Sequence, residues 1–286
     1  MLEYHLVDVF TDRQFGGNQL AVFPNPGKLS TEFMQTIARE LNLSETVFVF
    51  PPDDPANHYR LRIFTPHMEL PLAGHPTVGT GFVLANLGMI PKTGITRLEE
   101  GVGPIPITLT ETESGVLVEM AQPQPQFGDV KADRAQIAAL LSLNEDDLMP
   151  DLPVQTVSSG VPFIFVPLKS LDAANRIKLR LDIWDQAFKG EHIYTFTMQT
   201  QNPQAQVHSR MFAPAMGIPE DPATGAACGP LGAYLVQHGL APSEIINEQG
   251  VEMGRPSLIH IRVMESSVYV GGYSQPIGGG YLTIQE

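Results

Sequence analysis

The chain has 286 residues, with 17 lysine and arginine side chains against 31 aspartate and glutamate side chains, so its formal net charge is −14. This acidic balance argues against a nucleic-acid partner and against an anionic membrane surface, because both carry negative charge. Apolar residues make up 43% of the chain and charged residues 17%, which is a globular composition that can form one large core or two smaller ones.

The single cysteine, Cys228, excludes an intrachain disulfide bond and favours a reducing compartment. The longest apolar segment, residues 161–168, is interrupted by prolines and is far shorter than the roughly 20 residues that a membrane span needs. The first residues have no basic flank and no apolar segment of signal-peptide length. We therefore expect a cytoplasmic protein without a membrane partner.

The first part of the chain predicts short strands and two helices. Strands are predicted where polar and apolar residues alternate or β-branched and aromatic residues cluster, at 4–10, 20–23, 46–50, 58–64, 105–109 and 116–120. The first helix is predicted to follow Ser30 as N-cap, with its apolar residues spaced along one face. The second is predicted to start around Pro76, with Gly74 and His75 as its cap region, and to run to Leu87.

The segment 122–126, QPQPQ, is predicted to be an extended domain boundary. Beyond it, helices are predicted at 133–141 and 182–188 and from Pro222, capped by Asp221, to residue 239; strands are predicted at 154–158, 163–166, 193–198, 206–212, 251–253, 257–263, 268–271 and 281–284. The glycines at 278–280 are expected to link back to the first domain. The expected domains are therefore 1–122 with 279–286, and 123–278.

An internal repeat accompanies this boundary. RIFTP at 62–66 recurs as RMFAP at 210–214, and HPTVG at 75–79 resembles DPATG at 221–225. A single repeat of this length predicts two similar domains rather than a solenoid. Because a helix start presents unpaired N–H groups and a positive dipole end, two such starts facing one cleft would bind a small anion such as a carboxylate. The alternative is that both motifs are ordinary helix caps.

Several segments along nearly the whole chain resemble the PhzF-like family of phenazine-biosynthesis isomerases. They are VDVFT at 7–11, GGNQLAVF at 16–23, NLSETVFV at 42–49, RIFTPHMELPLAGHPT at 62–77, EDPATG at 220–225 and GRPS at 254–257. The resemblance implies an α+β chain with the diaminopimelate epimerase-like fold, in which two pseudo-symmetric domains each curl a mixed β-sheet around a central helix. It also leaves a homodimer as an open expectation, since members of the family are often dimeric.

The resemblance further implies a set of site residues. Glu45 matches the family's catalytic acid/base, and His75 and Asp221 match polar residues at the two helix starts. The substrate-binding residues expected with them are Asn18, Gly74, Thr77, Gly225 and Ala226. Ala226 departs from the family pattern, which has serine there, so a hydroxyl group that could bind the substrate is absent.

Ordinary structural roles remain open for several of these residues. Glu45 can be an exposed residue at a strand edge, His75 and Asp221 can be N-caps, and Asn18 can belong to a turn. Cys228 is interpreted as a small core residue. Because the chain has one thiol, it cannot use the two opposed thiols of the related cysteine-dependent racemases.

The functional expectation is a cofactor-independent isomerase without a metal ion. Glu45 would move a proton on a small carboxylate-bearing substrate by acid/base catalysis, as in the family's isomerisation of trans-2,3-dihydro-3-hydroxyanthranilate. The alternative is a non-catalytic protein of the same fold that binds a small anion or another protein. No zinc, phosphate-loop, dinucleotide-binding or serine-nucleophile motif occurs in the sequence.

Overall fold

The computed structural model of the chain describes residues 1–265 and 267–284. The chain divides into two compact units, Met1–Ala121 with Gly271–Glu286 (unit 1) and Gln122–Val270 (unit 2). Each unit combines a mixed β-sheet with helices, so the α+β class expected from the sequence is confirmed.

The strands alternate with helices along both units. Numbered in chain order, they are β1 (Leu2–Val9), β2 (Asn18–Phe23), β3 (Glu45–Phe50), β4 (Tyr59–Phe64), β5 (Glu69–Leu70), β6 (Gly94–Glu100), β7 (Gly103–Thr112), β8 (Gly115–Gln122), β9 (Gln126–Val130), β10 (Gln155–Ser158), β11 (Pro162–Pro167), β12 (Ile193–Thr197), β13 (Val207–Ala213), β14 (Ile218–Asp221), β15 (Glu244–Gln249), β16 (Ser257–Met264), β17 (Ser267–Gly272) and β18 (Ser274–Leu282). The α-helices are α1 (Thr31–Leu41), α2 (Gly74–Asn86), α3 (Arg134–Leu140), α4 (Leu171–Arg176), α5 (Leu181–Ala187) and α6 (Gly225–Gln237). Single 3-10 turns occur at Glu145–Asp147 and Pro214–Met216.

The two units pair their strands in the same series. In unit 1 the order is β18–β1–β2–β3–β4–β6–β7–β8, with β2–β3 and β4–β6 parallel and the other pairs antiparallel. In unit 2 it is β9–β10–β11–β12–β13–β15–β16, with β11–β12 and β13–β15 parallel. A short strand, β5 or β14, adds to β4 or β13. The repeat in the sequence is therefore a repeat of sheet topology.

Each unit buries one helix on nearly all sides. Helix α2 connects the parallel strands β4 and β6, and α6 connects β13 and β15 at the same point of unit 2. Both helices use glycine where they approach the sheet closely: an added Cβ at Gly81 would lie 2.5 Å from the Ile107 side chain, and one at Gly232 would lie 2.5 Å from Ile261. Apolar contact on all sides explains why neither helix has a polar face.

Two predicted helix starts are confirmed. The Ser30 hydroxyl accepts a hydrogen bond from the Phe33 amide at 3.2 Å, and the Asp133 carboxylate accepts one from the Gln136 amide at 2.9 Å. These side chains satisfy N–H groups that have no acceptor within the helix.

Two sequence-based expectations are wrong. Residues 251–253 form turns after β15 rather than a strand. The glycines at 278–280 lie inside β18 and pair with residues 4–6 of β1, so they are part of the unit 1 sheet and not a flexible link. No helix within the described ranges is long and apolar enough to span a lipid bilayer.

Candidate functional site

A carboxylate and an imidazole meet at the start of α2 in unit 1. Glu45 Oε2 lies 3.0 Å from His75 Nε2. Both residues are buried, with 8% of Glu45 and 6% of His75 exposed. The contact places the carboxylate and the imidazole side by side in a buried position of unit 1. The alternative of an exposed Glu45 at a strand edge is wrong.

Secondary-structure boundaries bring the two side chains together. Glu45 is the first residue of β3, opposite Leu20 in the parallel neighbour β2. His75 is the second residue of α2, whose N-cap is Ala73. The sequence-based placement of His75 in the cap region is therefore wrong. Pro76 does not mark the first helical residue, because proline is tolerated throughout a first turn whose N–H groups have no helical acceptor.

The start of α2 is braced from within unit 1 by Thr77 and Glu100. Thr77 is fully buried, and its Oγ1 lies 2.6 Å from Glu100 Oε1 and 2.6 Å from the Ala73 carbonyl oxygen. Burial of Glu100 raises the pKa of its carboxyl group to about 7, against the opposing effect of hydrogen bonds from Thr77 and the Ala73 amide. A contact between the Thr77 hydroxyl and a substrate would require these bonds to rearrange.

Asn18 and Gly74 lie at element starts in unit 1. Asn18 is the buried first residue of β2 and pairs with Val9 of β1. The preceding Gly17 has φ of +61°, and a Cβ there would lie 2.2 Å from the Val9 carbonyl oxygen, so the turn requires glycine. Gly74 is the half-buried first residue of α2.

Asp221 lies at the end of a strand in unit 2 and does not cap a helix. It is the last residue of β14, and the N-cap of α6 is Thr224. The Asp221 carboxylate accepts a hydrogen bond from the Thr224 hydroxyl at 2.5 Å. The N-cap interpretation of Asp221 is wrong because α6 begins only at Gly225, so Pro222 and Ala223 separate Asp221 from the N-cap Thr224.

Gln249 joins the end of β15 to the segment that precedes α6. Its Oε1 accepts the Thr224 amide at 3.2 Å, and its Nε2 donates to the Asp221 carbonyl oxygen at 2.8 Å. Gly225 starts α6 and is buried, and its carbonyl oxygen accepts Gln122 Nε2 at 2.9 Å. Ala226, the second residue of α6, is half-buried.

The structure corrects the register of the repeat. Helices α2 and α6 each have 13 residues and begin at Gly74 and Gly225, so the position that matches His75 is Ala226. Matching His75 with Asp221, as the two proline motifs suggested, is wrong.

The strand pairing also locates the match to Glu45. Phe64 and Phe212 are equivalent residues of the RxFxP repeat. Thr46 pairs with Phe64, and Ile193 pairs with Phe212, so Thr46 matches Ile193. The preceding residues, Glu45 and His192, therefore match as well. Unit 2 therefore carries His192 and Ala226 where unit 1 carries its carboxylate and imidazole.

The RxFxP part of the repeat has the same structure in both units. Arg62 binds Glu69 through two hydrogen bonds of 2.7 and 2.6 Å, and Arg210 binds Glu220 through two of 2.7 and 2.8 Å. Each guanidinium also lies over the phenylalanine two residues later. This part of the motif is structural.

Unit 2 contains a buried charged cluster that sequence reasoning missed. His208 is fully buried, with Nδ1 2.8 Å from Glu248 Oε1 and Nε2 2.9 Å from Glu252 Oε1. Burial opposes a charged imidazole, but the hydrogen bonds to the two carboxylates outweigh it and raise the pKa of His208 to about 9. No local pattern in the sequence reveals this cluster, because Glu248 lies 40 residues from His208.

Cys228 is completely buried, and burial raises the pKa of its thiol to about 12. Its interpretation as a core residue is confirmed. Within residues 1–265 and 267–284, no group of three or more histidine, cysteine, aspartate or glutamate side chains has the geometry to hold a metal ion.

The chain is similar to a known protein family along nearly its whole length. The PhzC-PhzF family model, described as "Phenazine biosynthesis-like protein", matches residues 7–278. An uncharacterized isomerase of Mesorhizobium japonicum is 38% identical over 300 residues, covering 98% of each chain. The trans-2,3-dihydro-3-hydroxyanthranilate isomerase of Pseudomonas aeruginosa is 35% identical, covering 92% of this chain and 90% of that one. The structure of the Bacillus anthracis phenazine biosynthesis protein of the PhzF family aligns over 99% of both chains, with a TM-score of 0.91 and 28% identity.

The fold and these relatives identify the protein as an isomerase. The chain belongs to the PhzC-PhzF family, so the family resemblance found in the sequence is confirmed.

Proposed function

We propose that this isomerase moves a proton within a small carboxylate-bearing substrate and that Glu45 is its acid/base, without a cofactor. The observation that carries the proposal is the 3.0 Å contact between Glu45 Oε2 and His75 Nε2 at the buried start of α2. A carboxylate held against an imidazole has a fixed orientation, and a fixed orientation suits a group that transfers protons.

The reaction requires one group that first accepts a proton and then returns it. The Glu45 carboxylate takes a proton from a C–H bond of the substrate, and the electrons of that bond move into the adjacent unsaturated system. The neutral carboxylic acid then delivers the same proton to another carbon of the molecule and becomes a carboxylate again. Atoms and charge balance, and no redox partner is consumed.

The neighbouring residues of unit 1 have supporting roles in this proposal. His75, whose Nε2 lies 3.0 Å from Glu45 Oε2, holds the carboxylate in its orientation toward the substrate. The backbone at Gly74 contacts the substrate carboxylate, because the first N–H groups of a helix have no acceptor within the helix and lie at the positive end of its dipole. Asn18, at the start of β2, is assigned a substrate contact, whereas Thr77 holds the helix start.

In unit 2, Asp221 is proposed to orient an amine or hydroxyl group of the substrate. Its carboxylate oxygen already accepts the Thr224 hydroxyl, which fixes the orientation of the side chain. Gly225 and Ala226, at the start of α6, remain proposed substrate contacts. The alanine methyl group offers no hydrogen bond, so a substrate of this protein receives none from this side chain.

The name of the Pseudomonas aeruginosa relative supports trans-2,3-dihydro-3-hydroxyanthranilate as the first compound to test. The purified protein is incubated with it in heavy water, and deuterium uptake and isomer formation are followed by mass spectrometry and absorbance. Removing a general acid/base lowers rates by about 10²- to 10⁴-fold, so we expect Glu45→Gln to reduce both by at least a hundredfold.

Glu40→Gln, the same substitution at an exposed position of α1, is the matched control and should keep wild-type rates. Equal deuterium uptake by wild type and Glu45→Gln would remove Glu45 from the mechanism. A rise in melting temperature with the compound in both proteins, without turnover in either, would instead identify a binding protein.

A further inference from the structure

Glu100 lies behind the start of α2 and is not part of the mechanism above. It is the last residue of β6 and only 7% exposed. Its carboxyl group contacts Thr77 in the first turn of α2 and is hydrogen-bonded by the Ala73 amide at the N-cap. These two contacts bracket Gly74 and His75, the residues that the proposed mechanism uses.

The number of hydrogens that the Thr77 hydroxyl can donate indicates whether the Glu100 carboxyl group is protonated in this arrangement. Thr77 Oγ1 is 2.6 Å from two oxygen acceptors, the Ala73 carbonyl and Glu100 Oε1, but a hydroxyl group has one hydrogen to donate. Both contacts are hydrogen bonds when Glu100 is protonated, because the acid then donates to Thr77 and Thr77 donates to the Ala73 carbonyl.

Unit 2 has a related brace, built with an amide and with a threonine at the N-cap itself rather than in the first turn of the helix. Gln249 is the last residue of β15, as Glu100 is the last residue of β6. The strand pairings of β6 with β4 and of β15 with β13 place Glu100 and Gln249 at matching positions. The Thr224 amide donates to Gln249 Oε1 at 3.2 Å, as the Ala73 amide bonds to Glu100. Gln249 Nε2 donates to Thr224 Oγ1 at 2.8 Å. A neutral side chain that both accepts from the N-cap amide and donates to a threonine hydroxyl therefore suffices at this position.

We propose that Glu100 is a positioning residue of the Glu45–His75 pair, acting as a neutral acid that fixes the first turn of α2. The bond to the Ala73 amide and the chain from Glu100 through Thr77 to the Ala73 carbonyl set where the helix begins. The position of the second helical residue, His75, relative to Glu45 follows from that start. This inference rests on the proposed function for its catalytic consequence, but its structural part can be tested separately.

The test compares Glu100→Gln, Glu100→Leu and the control Glu99→Gln. Glutamine supplies the acceptor and donor of the neutral acid, as Gln249 does, whereas leucine has similar size and neither group. Glu99 precedes Glu100 but contacts Asn57 and the amides of Asp53 and Asp54, away from α2. Circular dichroism first establishes that each variant is folded.

The structural measurement is the imidazole resonance of His75 in NMR spectra, assigned by its loss in His75→Gln. We expect Glu100→Leu to shift this resonance and Glu100→Gln and Glu99→Gln to leave it near its wild-type position. With trans-2,3-dihydro-3-hydroxyanthranilate as probe, we expect kcat to fall tenfold or more in Glu100→Leu with KM within threefold, and Glu100→Gln to recover kcat to within threefold of wild type.

Two results would overturn the proposal. One is a folded Glu100→Leu protein whose His75 resonance is unchanged. The other is Glu100→Gln with a resonance as displaced as that of Glu100→Leu, since the neutral donor and acceptor would then be irrelevant. If the wild type does not turn over the probe, the proposed function fails for that compound, while the resonance of His75 still decides the role of Glu100.

Discussion

Units 1 and 2 share a series of strand pairings but hold different polar groups at matching positions. Both have an arginine–glutamate pair against a phenylalanine and a buried glycine-containing helix between parallel strands. At the helix start, however, unit 1 has His75 where unit 2 has Ala226, and at the strand beside it Glu45 where unit 2 has His192. The shared features stabilise the fold, and the differences fall at residues of the proposed site.

The difference continues behind the helix starts. Glu99 and Glu248 match, and both carboxylates accept two backbone amides from the loop before β4 or β13. Their neighbours on the sheet differ, since Arg60 in unit 1 is partly exposed, whereas His208 in unit 2 is fully buried between two carboxylates. Unit 2 thus has a buried charge cluster at the position where unit 1 has a surface ion pair.

The largest expected effect comes from making unit 1 resemble unit 2 at the helix start. His75→Ala removes the imidazole that lies 3.0 Å from the proposed acid/base Glu45, so we expect kcat on a turned-over substrate to fall by about a hundredfold or more. The protein should remain folded, which circular dichroism checks. The measurement is kcat and KM from initial rates of isomerisation.

The matched change in unit 2 is Ala226→Ser, which adds a hydroxyl group at the corresponding position. We expect it to change KM by up to about tenfold with kcat nearly unchanged, because a new hydrogen bond alters binding more than proton transfer. If His75→Ala and Ala226→Ser affected kcat equally, the two helix starts would be functionally equivalent and the assigned asymmetry would be wrong.

The sequence predicted the repeat but could not place its register. Prolines 76 and 222 aligned HPTVG with DPATG, yet proline is compatible with several positions around a helix start, so the motif does not define one. Three-dimensional pairing was needed to match His75 with Ala226. By contrast, Ser30 and Asp133 were predicted correctly because an N-cap is defined by residues three apart in the chain.

Buried polar residues explain most of what sequence patterns missed. Strands β6 and β15 end in EE and EQ, and these charged and amide side chains conceal the alternation that predicts a strand. Their partners lie far along the chain, as with Glu99 and Asp53 or Glu248 and His208. Glu45 was predicted from the family resemblance. Its contact with His75 could be seen only in the three-dimensional fold.

The second-largest effect is a pH-dependent loss of stability in unit 2. Because the folded-state pKa of His208 is raised from 6.5 to about 9, its contribution is fully present below pH 6.5 and is lost as the pH rises through 9. The shift corresponds to about 3 kcal/mol, so His208→Gln should lower the free energy of unfolding by about that amount at pH 6. Urea denaturation at pH 6 and pH 10 measures the difference, which should nearly vanish at pH 10.

Arg60→Gln is the matched control in unit 1. Arg60 lies 3.3 Å from Asp53 in an exposed pair, so its loss should cost less than about 1 kcal/mol and should not vary between pH 6 and pH 10. A His208→Gln penalty that is equally large at pH 10 would show that the cluster stabilises by packing rather than by charge.

A smaller difference is expected between the two matched arginines. Arg210 is nearly buried and also donates to the Ala174 carbonyl oxygen at 2.7 Å, so Arg210→Met should lower the free energy of unfolding by about 2 kcal/mol. Arg62 is more exposed, and Arg62→Met should cost about 1 kcal/mol or less. Urea denaturation of both variants at pH 7 tests the order, and equal losses would contradict it.

The smallest effect concerns the serine caps of α1 and α4, which follow β2 and β11 in the two units. Ser30 and Ser170 each accept an amide hydrogen bond at 3.2 Å, so each serine-to-alanine change should cost about 1 kcal/mol. Helix α4 has only six residues, and its Ala174 carbonyl oxygen is the acceptor for Arg210. Ser170→Ala should therefore loosen that acceptor. The double variant with Arg210→Met should lose about 0.5 kcal/mol less free energy of unfolding than the sum of the two single losses, whereas the losses of Ser30→Ala and Arg210→Met should be additive. A double-mutant cycle measured by urea denaturation decides this, and full additivity of Ser170→Ala would mean that α4 keeps its carbonyl in place without its cap.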